Sequence, residues 1–108
     1  MAATKQVIKQ LEKFASEIKK SGVNLQRVIL FGSYAKNKQK KYSDVDVALV
    51  ANDFKGIDFF DIGLFAGVLS KYTNLLLQPR TYNTSQFTPE KDPLVAEIIK
   101  TGIEIKLN

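Results

Sequence analysis

Two short apolar runs most constrain how this chain folds. Residues 28–31 (VILF) stop at a glycine, and residues 44–50 (DVDVALV) alternate at first and then become wholly apolar. Runs that are apolar on both faces are typical of strands inside a sheet, because both of their faces have to be covered. The chain is therefore predicted to contain a sheet in which these two segments are interior strands.

The other segments predict helices and further strands around that pair. Apolar residues recur at three- and four-residue spacing in residues 4–20, 57–72 and 93–100, which predicts three amphipathic helices. Residues 75–82 (LLLQPRTY) are predicted to form a third strand, and residues 103–107 (IEIKL) an edge strand. The buried faces of the second and third helices are predicted to consist of Phe60, Leu64, Val68 and Leu69, and of Leu94, Val95, Ile98 and Ile99.

This order of elements predicts an α/β (α+β) fold with a mixed sheet of three to four strands and helices mainly on one face. The 108 residues contain no repeat or linker, so residues 1–108 are expected to form a single domain.

Composition excludes several kinds of chemistry. The chain has neither cysteine nor histidine, so thiol catalysis, an imidazole base and a zinc site of the usual ligands are excluded. A metal would be held by oxygen, which favours magnesium or manganese. No apolar run approaches the roughly 20 residues of a membrane span, and the missing cysteine is compatible with a cytoplasmic location, which we expect.

The segment between the two apolar strands carries the chemistry. Gly32 and Ser33 follow the first strand, where a glycine permits close approach of a phosphate and a serine offers a hydroxyl beside free backbone N–H groups. Ser33 is predicted to cap a short helical turn. Asp44 and Asp46 begin the second strand, and residues two apart point to the same face at about 6–7 Å. Two carboxylates at that distance repel each other by roughly 2–3 kcal/mol at an effective dielectric near 20, which a divalent cation would offset.

Each feature alone has a simpler interpretation. A Gly-Ser pair after a strand is usually only a turn, and two aspartates near a turn are often only solvated. Ser33 and Asp44 bracket ten residues, enough for the chain to leave one strand and return to its neighbour, so that both groups face one cleft.

The segment FGSYAKNKQKKYSDVDVALV resembles the signature of the DNA polymerase β-like nucleotidyltransferase superfamily, and is most similar to its minimal nucleotidyltransferase branch. The resemblance implies that Gly32, Ser33, Tyr34 and Lys36 bind the phosphates of ATP or another nucleoside triphosphate. It also implies that Asp44 and Asp46 are catalytic ligands of two magnesium (or manganese) ions. Lys36 stands where arginine is common, and Asn37, which tolerates a left-handed backbone, stands where glycine is common.

The resemblance further implies an activity and a partner. The activity is transfer of a nucleotide, AMP from ATP, to a hydroxyl of a protein or small molecule. The partner is a helical HEPN-type protein, with this chain as the antitoxin of the pair and part of an oligomer.

One position departs from the pattern. Active members carry a third carboxylate on the next strand, and the matching residue here is Gln78. Glutamine offers a carbonyl oxygen but neither charge nor a proton-accepting carboxylate. Either another acid replaces it (Asp53, Asp58, Asp61, Glu90 or one from a partner), or the chain is a catalytically impaired module that binds nucleotide or partner.

Charge leaves a weaker third interpretation. The net charge is +5 from 16 basic and 11 acidic residues, which favours anionic partners or simply keeps the protein soluble. The lysine-rich loop, with Lys36, Lys38, Lys40 and Lys41, is expected to be exposed. Because no aromatic residue interrupts it for base stacking, we favour a solvated loop, and nucleic-acid binding is only weakly supported.

Overall fold

The structure is a computed structural model, and it describes residues 2–38 and 43–107. The predicted lysine-rich loop lies partly outside this range, since it includes Lys40 and Lys41. The elements in chain order are α1 (Ala2–Lys20), β1 (Leu25–Phe31), β2 (Val45–Ala51), α2 (Asp58–Ile62), α3 (Ala66–Leu69), a 3₁₀ turn (Ser70–Tyr72), β3 (Leu77–Tyr82), a second 3₁₀ turn (Thr84–Gln86), α4 (Pro93–Thr101) and β4 (Ile103–Glu104).

The four strands form one mixed sheet in the order β3-β2-β1-β4. β1 pairs antiparallel with β2 and β4, whereas β2 and β3 are parallel. The two apolar runs are therefore interior strands, as predicted, and the final segment adds an edge strand beside Ile29 and Leu30. The predicted α/β fold with a mixed sheet is confirmed.

The first face of the sheet is covered by α1 and α3. Leu11 and Phe14 of α1 are fully buried against the strand residues Val28, Leu30 and Val47. We call this the first core. The apolar face predicted for the N-terminal helix thus packs on the sheet.

The second face is covered by α4 and the segment before it. Val95 and Ile98 pack against Ile29, Ala48 and Val50. We call this the second core. Ile99, predicted on the apolar side of this helix, is instead 39% exposed, because the helix turns only the Val95–Ile98 side toward the sheet.

The helix predicted over residues 57–72 is wrong as a continuous element. Backbone N–H groups of Gly63, Leu64 and Phe65 bond to carbonyls three residues earlier, so the chain is wound more tightly between α2 and α3. This change of winding rotates the following residues and buries Phe65.

Two residues of the predicted buried face are consequently exposed. Phe60 is 62% exposed and Leu64 is 50% exposed, while Val68 is buried as predicted. Gly63 and Gly67 in this segment disfavour a continuous helix, because glycine costs about 0.5–1 kcal/mol relative to alanine inside a helix.

Among the described residues, no helix combines the length and the apolar character that crossing a membrane requires.

Candidate active site

The Gly-Ser turn follows β1 directly. Gly32 has a φ of 75°, a left-handed conformation that favours glycine. The Lys36 N–H donates to the Gly32 carbonyl at 3.2 Å, and the Lys38 N–H donates to the Ser33 carbonyl at 2.8 Å. Residues 32–37 therefore form consecutive turns, which begin with one helical turn between Gly32 and Lys36 and do not continue into a helix. Asn37 has a φ of 57°, the left-handed backbone that asparagine tolerates.

The carboxylate of Asp46 lies against this turn. β2 pairs Asp46 with Phe31, the residue just before Gly32. A Cβ atom placed on Gly32 would lie 2.3 Å from Oδ2 of Asp46, so any side chain at this position would force the carboxylate to move. Gly32 thus leaves the space that the Asp46 carboxylate occupies, and the turn and the acid meet at one end of the sheet.

The two acids also act on each other. Asp46 is half-buried, whereas Asp44 is exposed just before β2 begins. Burial raises the pKa of the Asp46 carboxyl, and the negative charge of Asp44 raises it further. The site therefore holds two acidic groups at unfavourable proximity, which a cation would relieve.

Gln78 is the next neighbour of Asp46 across the sheet. The parallel pairing of β2 and β3 aligns Asp46 with Gln78, so both side chains point to the second face. Adjacent strands are about 4.8 Å apart, and Gln78 is exposed. The sequence-predicted position of the third ligand thus lies beside the acidic pair, but it presents an amide.

The four acids of this chain that were considered as replacements for Gln78 lie elsewhere. Asp53 accepts a hydrogen bond from the Asn24 N–H at 3.0 Å, beyond the other end of β2 and about 20 Å along the strand from Asp44. Asp58 and Asp61 both accept hydrogen bonds from Thr81, which pairs with Leu49 on the side of the sheet that faces the first core, opposite to the side of Asp46.

Glu90 is an exposed residue of the loop before α4, and none of the described contacts connects it with the acidic pair. Replacement of Gln78 by these four acids is therefore not supported by their positions.

The side-chain oxygens of this site fit a divalent cation, but they fill only part of its coordination shell. Within residues 2–38 and 43–107, no group of three or more acidic side chains is arranged to hold a metal ion. Two carboxylates and an amide oxygen suit magnesium or manganese, which readily take further oxygens from water or phosphate. The residues present fit one such ion, and the second predicted ion would depend largely on oxygens from the nucleotide.

Tyr34 and Lys36 have contacts of their own. Tyr34 packs against the first core, on the other side of the sheet from Asp46. The Lys36 ammonium lies 3.2 Å from the carboxylate of Glu97 on α4, in a pair that is about half exposed. The link to Glu97 was missed in the sequence, because no local pattern connects residues 61 positions apart.

The sheet, the Gly-Ser turn and the adjoining acids together define an α/β protein with the nucleotidyltransferase fold. The family model described as "Nucleotidyltransferase domain" matches residues 8–104, and the chain therefore belongs to that family. Among curated proteins, no sequence matches the chain significantly.

Solved structures with the same fold are distant in sequence. A candidate nucleotidyltransferase from Sulfolobus solfataricus is 21% identical with a TM-score of 0.63, over 95% of this chain and 82% of that one. A toxin–antitoxin complex crystallised with AMP-PNP is 20% identical with a TM-score of 0.61, over 90% and 73% of the two chains. A mutant of the MntA-HpeT toxin–antitoxin pair is 18% identical with a TM-score of 0.62, over 94% and 73%.

Proposed function

We propose that this protein transfers a nucleotide, AMP from ATP, to a hydroxyl group of a protein or small molecule. The observation that carries the proposal is the contact of the Asp46 carboxylate with Gly32, with Asp44 and Gln78 beside it. Family membership gives the reaction class independently.

The chain's own groups have distinct roles in this proposal. The turn at Gly32 and Ser33 binds the β- and γ-phosphates through its hydroxyl and backbone N–H groups. Lys36 leaves Glu97 and pairs with the triphosphate, which requires only a rearrangement of an exposed ion pair. Asp44 and Asp46 would hold magnesium, or manganese, which would supply positive charge that stabilises transfer of the nucleotidyl group.

The reaction exchanges one phosphorus–oxygen bond for another. The acceptor oxygen bonds to the α-phosphorus, the bond to the β-phosphate oxygen breaks, and pyrophosphate leaves. The acceptor hydroxyl must lose its proton; because the neutral amide of Gln78 cannot take it, the proton passes to water or to the departing pyrophosphate. Loss of a carboxylate at this position is expected to slow transfer strongly, as loss of other single electrostatic groups does.

Gln78 favours a second function, a nucleotide- or partner-binding antitoxin that has lost catalysis. Two of the similar solved structures are toxin–antitoxin complexes, and one of them was crystallised with AMP-PNP. In both functions we propose a helical HEPN-type partner and an oligomeric complex. The cytoplasmic location and the single-domain organisation stay predictions from the sequence.

Transfer is tested with ATP labelled at the α-phosphate, in the presence of magnesium or manganese, with and without the partner. We expect labelled product from the natural chain, and loss of product in Asp44→Asn and Asp46→Asn. Asp53→Asn is the matched control, because Asp53 lies at the far end of the same strand and accepts only a surface hydrogen bond. Product that persists in Asp46→Asn would contradict the proposed site.

Gln78→Glu separates the two functions. If Gln78 occupies the third ligand position, glutamate at this position should increase transfer at least tenfold, since it restores a charged ligand. Binding of ATP without transfer, with activity gained in Gln78→Glu, would support the impaired antitoxin. Salt-sensitive RNA binding that is unchanged in Asp44→Asn would instead support a nucleic-acid-binding protein.

A further inference from the structure

A cavity of about 560 Å³ lies at the edge of the sheet, between β3 and the segment before α4. Its size is in the range that holds small metabolites. Gly32, Asp44 and Asp46 do not line it, so it is separate from the acidic pair. The groups that the argument uses are Asp58, Arg80, Tyr82, Thr88, Lys91 and Asp92.

Two hydroxyl groups lie in the wall of this cavity. Tyr82 is only 7% exposed; burial raises the pKa of its hydroxyl, and the neighbouring Arg80 guanidinium opposes that rise. The Thr88 Oγ1 atom is buried without a hydrogen-bond partner among the described residues. A buried hydroxyl without a partner is unfavourable, so a polar ligand that hydrogen-bonds to Thr88 would stabilise it.

The cavity also offers cationic groups that are not neutralised by ion pairs. Arg80 and Lys91 both line it and both are exposed, and neither lies within 4.0 Å of a carboxylate among the described residues. Arginine and lysine together carry a charge of about +2, which matches a phosphate monoester better than a single carboxylate.

Two carboxylates line the cavity as well, and each has one oxygen already used. Asp58 Oδ1 accepts from the Thr81 N–H at 2.8 Å, and Asp92 Oδ1 accepts from the Leu94 N–H at 2.9 Å. Their Oδ2 atoms accept no hydrogen bond from the described residues. Free carboxylate oxygens beside a phosphate-binding pair are suited to sugar hydroxyls, which donate to them.

From these groups we infer that the cavity binds a phosphorylated sugar. Arg80 and Lys91 bind its phosphate, the hydroxyls of Tyr82 and Thr88 donate to phosphate oxygens, and Asp58 and Asp92 accept from sugar hydroxyls. Arg80 lies two residues after Gln78 on the same face of β3, so the bound molecule would lie on the side of the sheet that carries Asp46. The inference does not rest on the proposed transfer reaction.

The experiment is a calorimetric titration of the full chain with ribose 5-phosphate, and with ribose and inorganic phosphate separately. We expect ribose 5-phosphate to bind at least tenfold more tightly than either part, because only it meets both the cations and the carboxylates. AMP is titrated in parallel, to distinguish a free sugar phosphate from the sugar phosphate of a mononucleotide.

Substitutions of residues that line the cavity test whether ribose 5-phosphate binds there. Arg80→Gln should weaken ribose 5-phosphate binding about tenfold or more, and Tyr82→Phe several-fold, since each removes a donor. Lys100→Gln is the control, because it removes one charge from an exposed position that does not line the cavity. Asp44→Asn should leave the binding unchanged, so failure of the active-site proposal would not affect this result.

Two outcomes would overturn the inference. One is the absence of binding by ribose 5-phosphate and by AMP at millimolar concentration. The other is equal affinity of the natural chain and Arg80→Gln, with both proteins folded according to their thermal transitions. Perturbed amide resonances in residues 80–92 on adding ribose 5-phosphate would give independent support, and shifts confined to residues 32–46 would contradict it.

Discussion

The side chain of Asp46 occupies a position that is unfavourable for its negative charge. It is half-buried, it contacts Gly32, and it lies near the charge of Asp44. Both burial and the neighbouring charge raise its pKa. Active sites commonly maintain such groups at a cost in stability, because binding of a cation or substrate recovers that cost.

We expect Asp46→Asn to raise the melting temperature of the metal-free protein at neutral pH. A raised pKa means that the folded state binds a proton more tightly than the unfolded state, so stability falls as pH rises above the ordinary carboxyl range near 4. Asparagine removes this fall. Thermal unfolding between pH 4 and 7 measures the difference, with Asp53→Asn as control.

Magnesium provides the complementary measurement. It should raise the melting temperature of the natural chain and leave that of Asp46→Asn nearly unchanged, since a cation that binds only the folded state stabilises it. An equal magnesium effect on both proteins would show that Asp46 is not a ligand.

Asp61 is an acid in the opposite situation. Burial by itself would raise its pKa, but hydrogen bonds from the Lys55 N–H, Thr81 Oγ1 and the Gly56 and Ile57 N–H groups together lower it. The four donors lie 2.7–3.1 Å from its oxygens. Its carboxylate therefore ties the loop before α2 to β3, a structural rather than a catalytic role.

Asp61→Asn is expected to lower the free energy of unfolding by about 2–3 kcal/mol, because the amide cannot accept from all of these donors. The lowered pKa means that the stabilisation is complete above pH 4 or so and is lost as pH falls through the folded-state pKa. Urea unfolding at pH 7 and pH 3 measures both effects. Glu90→Gln, on an exposed residue, should change neither, and an equal loss in both variants would contradict the assigned role.

At the scale of elements, the sequence predicts the sheet better than the segment between β2 and β3. The apolar pattern is sufficient for α1, β1 and β2, because these elements bury regular faces. The prediction of a single helix over residues 57–72 is wrong for two reasons. The Asp61 carboxylate accepts hydrogen bonds from three backbone N–H groups, and the backbone around Gly63 has the tighter i to i+3 winding. Contacts of this kind leave no periodic signal.

The sequence likewise predicts one part of the candidate site and not another. The approach of Gly32 to Asp46 was predictable from the short excursion between the two strands, which returns the chain to the neighbouring strand. The alignment of Gln78 with Asp46 was expected only from the family resemblance. The pairing of Lys36 with Glu97 depends on how α4 packs on the second face, which the spacing of neither residue indicates.

Gly67 in α3 tests directly whether a glycine inside a helix is less stable than an alanine. A Cβ atom on Gly67 would have no atom within 4 Å, and Gly67 lies inside a helix. Gly67→Ala should therefore raise the free energy of unfolding by about 0.5–1 kcal/mol, since alanine restricts the unfolded chain. Denaturant titration measures the change.

Gly102→Ala is the contrasting variant. Its Cβ atom would lie 2.4 Å from the Ile98 carbonyl oxygen and 2.5 Å from Cγ2 of Ile29, so this substitution should destabilise the protein. If Gly67→Ala also lowered stability, the segment around α3 would not be a helix with open space beside it.

At the scale of the whole molecule, two cores share one thin sheet. Leu30 and Val47 face the first core, while the adjoining Ile29 and Ala48 face the second. Since the same two strands form a wall of both cores, neither core can lose its packing without exposing the back of the other. We therefore expect both cores to unfold in one cooperative transition.

Substitutions on opposite faces test this cooperativity. Leu11→Ala in the first core and Ile98→Ala in the second each remove a fully buried side chain and should each cost about 2–5 kcal/mol. Ile99→Ala is the matched control, because Ile99 follows Ile98 in sequence but is 39% exposed, so its truncation should cost much less. Far-ultraviolet circular dichroism and tyrosine fluorescence should give coincident, single transitions for all three variants. A variant with two separated transitions would show that the cores are independent, because the sheet would then survive the loss of one of its two covering layers.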